Sequence, residues 1–194
     1  MPRMGERTIV AVYSDGGCIR ANPSPIGGTW ACVGVDADDL HVFEHSGVVR
    51  PTDLGGHPVT NNQMEFYALL VALESLPPRW SGRVCSDSQV TLGRFFGGQK
   101  MTGIPLRWVT RASTAIGRAG TLEPMQLSGH PTREQLRRGI GKRGTPVSIH
   151  NVWADRQCAV EAELLLHHAP RLAEQAREIA RAAKGRATAR AVAS

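Results

Sequence analysis

Four carboxylates, each at the edge of an apolar segment, are the residues of this 194-residue chain best suited to chemistry. Asp15 follows the β-branched run Thr8 to Ser14, and Asp87 follows the short run Arg83 to Ser86. Glu65 falls in the first turn of an apolar helical stripe, and Asp155 opens a later helical segment. A charge at the end of a buried strand is costly unless a cation answers it. Parallel pairing of the strands that end at Asp15 and Asp87 would bring both carboxylates out at the same sheet edge. Four acids gathered there repel one another, which favours a retained proton or a bound divalent cation. An oxygen-only donor set, without Cys or His, suits Mg²⁺, or Mn²⁺, better than zinc.

Each acid also has a use that involves no chemistry. Glu65 follows Asn62 at the capping-box interval. Asp15 before Gly16, and Asp87 before Ser88, suit turns. Asp155 can complement a helix dipole or pair with a nearby Arg. The case for chemistry rests on all four standing at element boundaries together. Asp36, Asp38 and Asp39 lack the spacing of an EF-hand loop and read as a turn.

The elements that must carry these acids are legible from periodicity and breakers. Thr8–Ser14, Thr29–Val35 and Leu40–Val49 predict three strands in an antiparallel meander. Thr60-Asn61-Asn62 starts a helix whose stripe Met64, Phe66, Leu69, Leu70 and Leu73 stops at Pro77-Pro78. A fourth strand spans Arg83–Ser86, and Ser88 caps a helix that Gly97-Gly98 breaks. Pro105–Gly117 predicts another helix, Glu123–Leu127 a fifth strand, and the remainder is helical from about Val152 with a break near Pro170. The fold class expected is α/β: a mixed five-stranded sheet, three antiparallel strands then two parallel, flanked by helices.

Composition narrows the partners. Residues 1–129 hold 11 basic and 11 acidic groups, whereas residues 130–194 hold 12 basic and 6 acidic, so the whole net charge of +6 lies in the last third. A basic segment beside a neutral core suits a polyanion, most simply nucleic acid, or is a solvated face. The longest apolar run, Ala68 to Leu73, is six residues, too short to span a membrane. Met1–Glu6 lacks the apolar stretch of a leader peptide. Cys18, Cys32, Cys85 and Cys158 have neither CxxC nor zinc-ligand spacing, which argues for a reducing, cytoplasmic setting. No protein partner is evident.

In Tyr13-Ser14-Asp15-Gly16-Gly17-Cys18, Thr60-Asn61-Asn62-Gln63-Met64-Glu65 and Ser86-Asp87-Ser88-Gln89, the sequence resembles type 1 ribonuclease H. Ser128-Gly129-His130 and Asn151-Val152-Trp153-Ala154-Asp155 continue the resemblance in the family's order, over roughly residues 8–165. The resemblance implies a ribonuclease H-like catalytic domain over 1–165, followed by a basic Ala/Arg-rich helical extension over 166–194. It implies that Asp15, Glu65, Asp87 and Asp155 bind two Mg²⁺ ions, with His130 as a mobile catalytic histidine beside them. It also implies that Cys18, Asn22, Asn61, Asn62, Gln89 and Asn151 contact an RNA/DNA hybrid, with Thr60 close to a DNA phosphate. The activity implied is endonucleolytic hydrolysis of the RNA strand, leaving 5′-phosphate and 3′-hydroxyl ends. A DNA-cutting relative of the resolvase or integrase kind, and a catalytically silent hybrid- or dsRNA-binding module, are the alternatives.

The chain departs from the family pattern at three places. The Asp15-to-Asn22 loop carries an extra residue, Arg20 or Ala21. Phe95–Ile104 holds only Lys100 where many bacterial members carry a basic, Trp-rich protrusion. Twenty residues separate His130 from Asn151, among them Arg133, Arg137, Arg138, Lys142 and Arg143. Thr132 and Gln135 stand at capping-box spacing, which predicts a helical turn over Pro131–Arg138. This insertion is expected to supply the grip that the short protrusion lacks.

Overall fold

The computed structural model describes residues 7–192. Met1–Glu6, on which the expectation about a leader falls, and the last two residues lie outside the described residues, as do the side chains of Arg143 and 184–192. Strand β1 (Ala11–Cys18) pairs antiparallel with β2 (Gly28–Val35), which pairs antiparallel with β3 (His41–Val49). Strands β4 (Gly82–Ser86) and β5 (Leu122–Gln126) add in parallel on the other side of β1, giving the order β3-β2-β1-β4-β5. This is the mixed sheet expected, and its alternating side chains serve two helical layers. Val12, Cys32 and Val84 pack with Met64, Phe66, Leu69, Leu70 and Leu73 of helix α1 (Asn61–Glu74). Ala11, Tyr13, Val33, Val35 and Cys85 face the opposite layer, where Trp153 of α5 (Ile149–His168) lies against them.

Two boundaries and one capping pair differ from the sequence reading, and each difference bears on an acid. Strand β1 runs on through Asp15 to Cys18, because β2 supplies a partner for every residue of it, Ala31 opposite Asp15. Its parallel partner β4 stops pairing at Tyr13 and Cys85, so Asp15 is uncovered on that side only. The capping box of α1 joins Thr60 to Gln63, not Asn62 to Glu65: Thr60 Oγ1 accepts from Gln63 N at 3.3 Å, and Gln63 Oε1 accepts from Thr60 N at 2.8 Å. Glu65 therefore lies beyond the first turn with no capping duty. Helix α5 starts at Ile149 rather than near Val152, so Asp155 sits in its second turn rather than at its opening. Ser148 caps that earlier start, and the buried His150 ring rests against Tyr13 and His41, with its Nδ1 3.1 Å from His41 Nε2.

The remaining elements follow the sequence closely. Helix α2 (Gln89–Phe96) is capped by Ser88, and α3 (Leu106–Arg118) follows Pro105. Helix α4 (Arg133–Arg138) falls within the insertion with the Thr132–Gln135 box formed. Helix α6 (Pro170–Val192) turns back onto α5, Ala176 packing with Leu165 and Leu166. The Asp36 carboxylate accepts from the amides of Asp38 and Leu40, which makes the triple-Asp segment a turn. Among the described residues no helix is long and apolar enough to cross a membrane.

Candidate active site

Glycine makes the first junction of the site. A Cβ on Gly16 would fall 2.3 Å from the Met64 carbonyl carbon and 2.5 Å from the Glu65 nitrogen. Only glycine lets β1 and α1 approach so closely, and that approach sets Asp15 beside Glu65. Asp87 follows directly on β4, the parallel neighbour of β1. Asp155 reaches in from α5, where the nearby Cys158 thiol contacts the Asp15 carbonyl at 3.5 Å. The result is a cleft of about 310 Å³ lined by Asp15, Glu65, Asp87 and Asp155, with Asn61, Ser88, His130 and Cys158 completing the wall.

The electrostatics are those of crowded, partly desolvated acids. Burial, then the neighbouring Asp87, push the Asp15 carboxyl up to about 8; the Gly16 amide, donating at 2.8 Å, opposes this, and Asp155 and Glu65 add to the rise. Burial also raises Glu65, against the opposing Ser88 hydroxyl. The Ser88 hydroxyl donates to Glu65 Oε2, and Thr91 Oγ1 donates to the same oxygen at 3.4 Å. Asp87 is raised by burial, while the Asn151 amide and then His130 favour its ionised form. Such a cluster holds either protons or cations, and its oxygen-only donors match a hard divalent ion. Among the described residues no three His, Cys, Asp or Glu side chains close around a single point as a finished metal site. The four acids share a cleft without converging on one position within it.

The structure brings most of the remaining expected residues to the same region. Asn61 Oδ1 accepts from the Cys18 amide at 2.9 Å, and the Asn61 amide donates to Asn22 Oδ1 at 3.2 Å. The lengthened loop after β1 thus still returns Asn22 to Cys18 and Asn61. Thr60 is occupied as the α1 cap, while Asn62 and Gln89 project, exposed, from the first turns of α1 and α2. His130 is exposed in a left-handed conformation (φ 44°), its Nδ1 3.6 Å from Asp155 Oδ2. Asn151 departs from its expected place: it is 3% exposed, and its Oδ1 has no partner among the described residues. Its burial keeps it off the surface of the cleft, and its amide favours the ionised form of Asp87.

Sequence reasoning gave Ser88 only the role of a cap, named Gly129 only within a motif, and missed Thr91. Ser88 does cap α2, accepting from Thr91 N at 3.2 Å, but the same hydroxyl holds Glu65 across the cleft. A Cβ on Gly129 would meet Asp87 Oδ2 at 2.6 Å, so any larger residue before His130 would displace the Asp87 carboxylate. Neither contact has a local signal, since each joins residues more than twenty positions apart.

The chain matches no protein-family model. It is 34% identical over 80 residues to a ribonuclease H of Paramagnetospirillum magneticum, a match covering 41% of this chain and 44% of that protein, so the likeness spans less than half of the relative's length. Among solved structures, the N-terminal RNase H domain of Rv2228c from Mycobacterium tuberculosis superposes with a TM-score of 0.57 at 18% identity, over 82% of this chain and 99% of that one. RNase H1 from Halobacterium salinarum gives 0.56 at 21%, over 79% and 97%. LC11-RNase H1, solved in complex with an RNA/DNA hybrid, gives 0.58 at 21%, over 80% and 98%. These likenesses, with the strand order and the flanking helices, define a ribonuclease H-like α/β fold. Within that class, the motifs and the sequence relative make the chain similar to type 1 ribonuclease H.

Proposed function

We propose that this protein is a divalent-metal-dependent endonuclease that hydrolyses the RNA strand of RNA/DNA hybrids. The observation that carries the reading is the meeting of Asp15, Glu65, Asp87 and Asp155 in one cleft beside the amide-rich rim of Cys18, Asn22 and Asn61. The donor set fits two Mg²⁺ ions, or Mn²⁺, held by those four acids. Such a pair would supply an activated water and stabilisation of the leaving 3′ oxygen, chemistry that would leave 5′-phosphate and 3′-hydroxyl ends.

The chain's own residues supply orientation and proton handling. Ser88 and Thr91 fix the Glu65 carboxylate, and the Asn151 amide favours the ionised form of Asp87. The exposed His130 ring, next to Asp155, can take up or release a proton as product leaves. Asn22, Asn61, Asn62 and Gln89 offer short amides that can read a 2′-hydroxyl without reading base identity, while Thr60 presents the α1 start to a DNA phosphate. In this reading residues 1–165 form the catalytic domain, 166–194 a basic extension, and the enzyme works in the reducing cytoplasm, consistent with four cysteines free of disulfides.

The test is cleavage of end-labelled hybrid, duplex DNA and duplex RNA in Mg²⁺, repeated in EDTA. Cutting confined to the RNA strand of the hybrid, abolished by EDTA, is the expected result. Efficient cutting of duplex DNA would favour a resolvase- or integrase-like enzyme, and binding without cutting a silent module.

A further inference from the structure

Between His130 and α5 the chain builds an arm that packing does not explain. Helix α4 opens with a complete capping box, Gln135 N donating to Thr132 Oγ1 at 3.2 Å and Thr132 N to Gln135 Oε1 at 2.9 Å. It closes at Gly139 in the left-handed conformation (φ 71°), where a side chain would be strained. The return limb is tied by an antiparallel bridge between Ile140 and Pro146 and by the Gly141 amide donating to the Thr145 carbonyl at 2.8 Å. Ser128 N donates to the Pro146 carbonyl at 2.8 Å, which roots the arm between Gly129 and the cap of α5. That root is the wall of the cleft, since His130 lines it and stands 3.6 Å from Asp155, and a Cβ on Gly129 would run into Asp87.

An ordered helix that buries none of its residues, yet ends in two arginines, is displayed for contact. Arg137 is spent locally, donating to Glu134 at 2.6 Å. Arg133, Arg138 and Lys142 are exposed. We propose that this arm grips the sugar-phosphate backbone of the nucleic acid that enters the cleft, on the His130 side. The inference rests on the hybrid-cutting reading and goes beyond it by assigning the electrostatic anchor. Guanidinium forks match phosphate oxygens in shape and charge, and such contacts need no base sequence. The arm also stands in a chain whose α2–α3 connection offers only Lys100 for the same purpose.

The experiment compares hybrid binding by Asp15→Asn protein with and without Arg133→Gln, Arg138→Gln and Lys142→Gln, across a salt series. Three lost phosphate contacts predict a log–log salt slope shallower by about two units, and a Kd at low salt raised roughly tenfold or more. Arg79→Gln, exposed at the opposite end of the sheet, serves as the control and should change neither. Melting curves check that the triple variant keeps its fold, and Lys142→Glu alone, at the arm's tip, provides a milder probe of the same sign. If wild-type protein cuts hybrid but the charge variants keep slope and affinity, the arm assignment fails and the nuclease reading stands. If wild-type protein neither binds nor cuts hybrid, both fail.

Discussion

At Asp15, burial and three neighbouring acids act in the same direction, and the carboxyl rises to about 8. In the unfolded chain the same group loses its proton near pH 4. Between those values the folded state holds a proton that the unfolded state has released. The stability tied to this group is therefore full below about pH 4 and is lost as pH rises toward about 8. Asp15→Asn has no proton to lose. In EDTA its Tm should exceed that of the wild type by several degrees at pH 8, with the two converging toward pH 4, a difference on the order of a few kcal/mol. The same variant should lose hybrid cleavage while still binding hybrid, because affinity comes largely from backbone contacts. A Tm difference independent of pH, or turnover in Mg²⁺, would refute the crowded-acid account of the cleft.

At the scale of the element, the start of α1 separates a structural role from a chemical one within three residues. Gln63 closes the capping box and also donates to the Gly103 carbonyl at 2.8 Å, whereas Glu65 faces the cleft. Gln63→Ala should lower Tm by a few degrees, since a lost cap costs about 1 kcal/mol, and leave most of the activity. Glu65→Gln should do the reverse, because a glutamine oxygen can still accept from Ser88 and Thr91 while the charge is gone. Equal losses of Tm and rate in both variants would defeat the separation. The same helix shows what the sequence makes legible. Its stripe from Met64 to Leu73 and its proline stop are local, and they were readable. Which of two equally spaced pairs, Thr60–Gln63 or Asn62–Glu65, forms the box depends on Gly16 letting β1 press against Glu65, and that is tertiary. Strand ends misled for a related reason. Gly16-Gly17 reads as a turn, yet β2 pairs across both residues. Of the four acids only Asp87 stands at the end of its element, so the boundary argument held for one of them and the other three were legible through the motifs that carry them. The contacts of Ser88, Thr91 and Gly129 were not legible, because they exist only across the cleft.

For the molecule as a whole, the question is what holds the rim as firmly as the sheet holds the acids. The loop after β1, which carries Asn22, is flanked by Ile19 and Ile26, both buried. Their cover comes from Leu165 and Leu166 at the end of α5 and from Ala176 of α6, with Leu172, Ala173 and Ile179 alongside. Arg20, on the same loop, reaches Glu163 at 3.1 Å, an exposed pair of little energetic weight. The apolar cluster is thus the brace, and it joins the C-terminal extension to the loop that carries Asn22 rather than to the acids. Ending the chain after Ala169 would uncover Leu165 and Leu166 and loosen the loop. The expected result is a higher KM for hybrid and a lower Tm, with kcat reduced far less, since β1, α1, β4 and α5 still hold the four carboxylates. Ala176→Glu tests the same contact without shortening the chain. A charge at a position 3% exposed is strongly disfavoured, so α6 should lift from the loop and KM should rise as in the truncated protein. Steady-state kinetics on hybrid decide it: a KM unchanged in both variants would make α6 a passenger, and a collapse of kcat in both would mean that the extension supports the acids themselves.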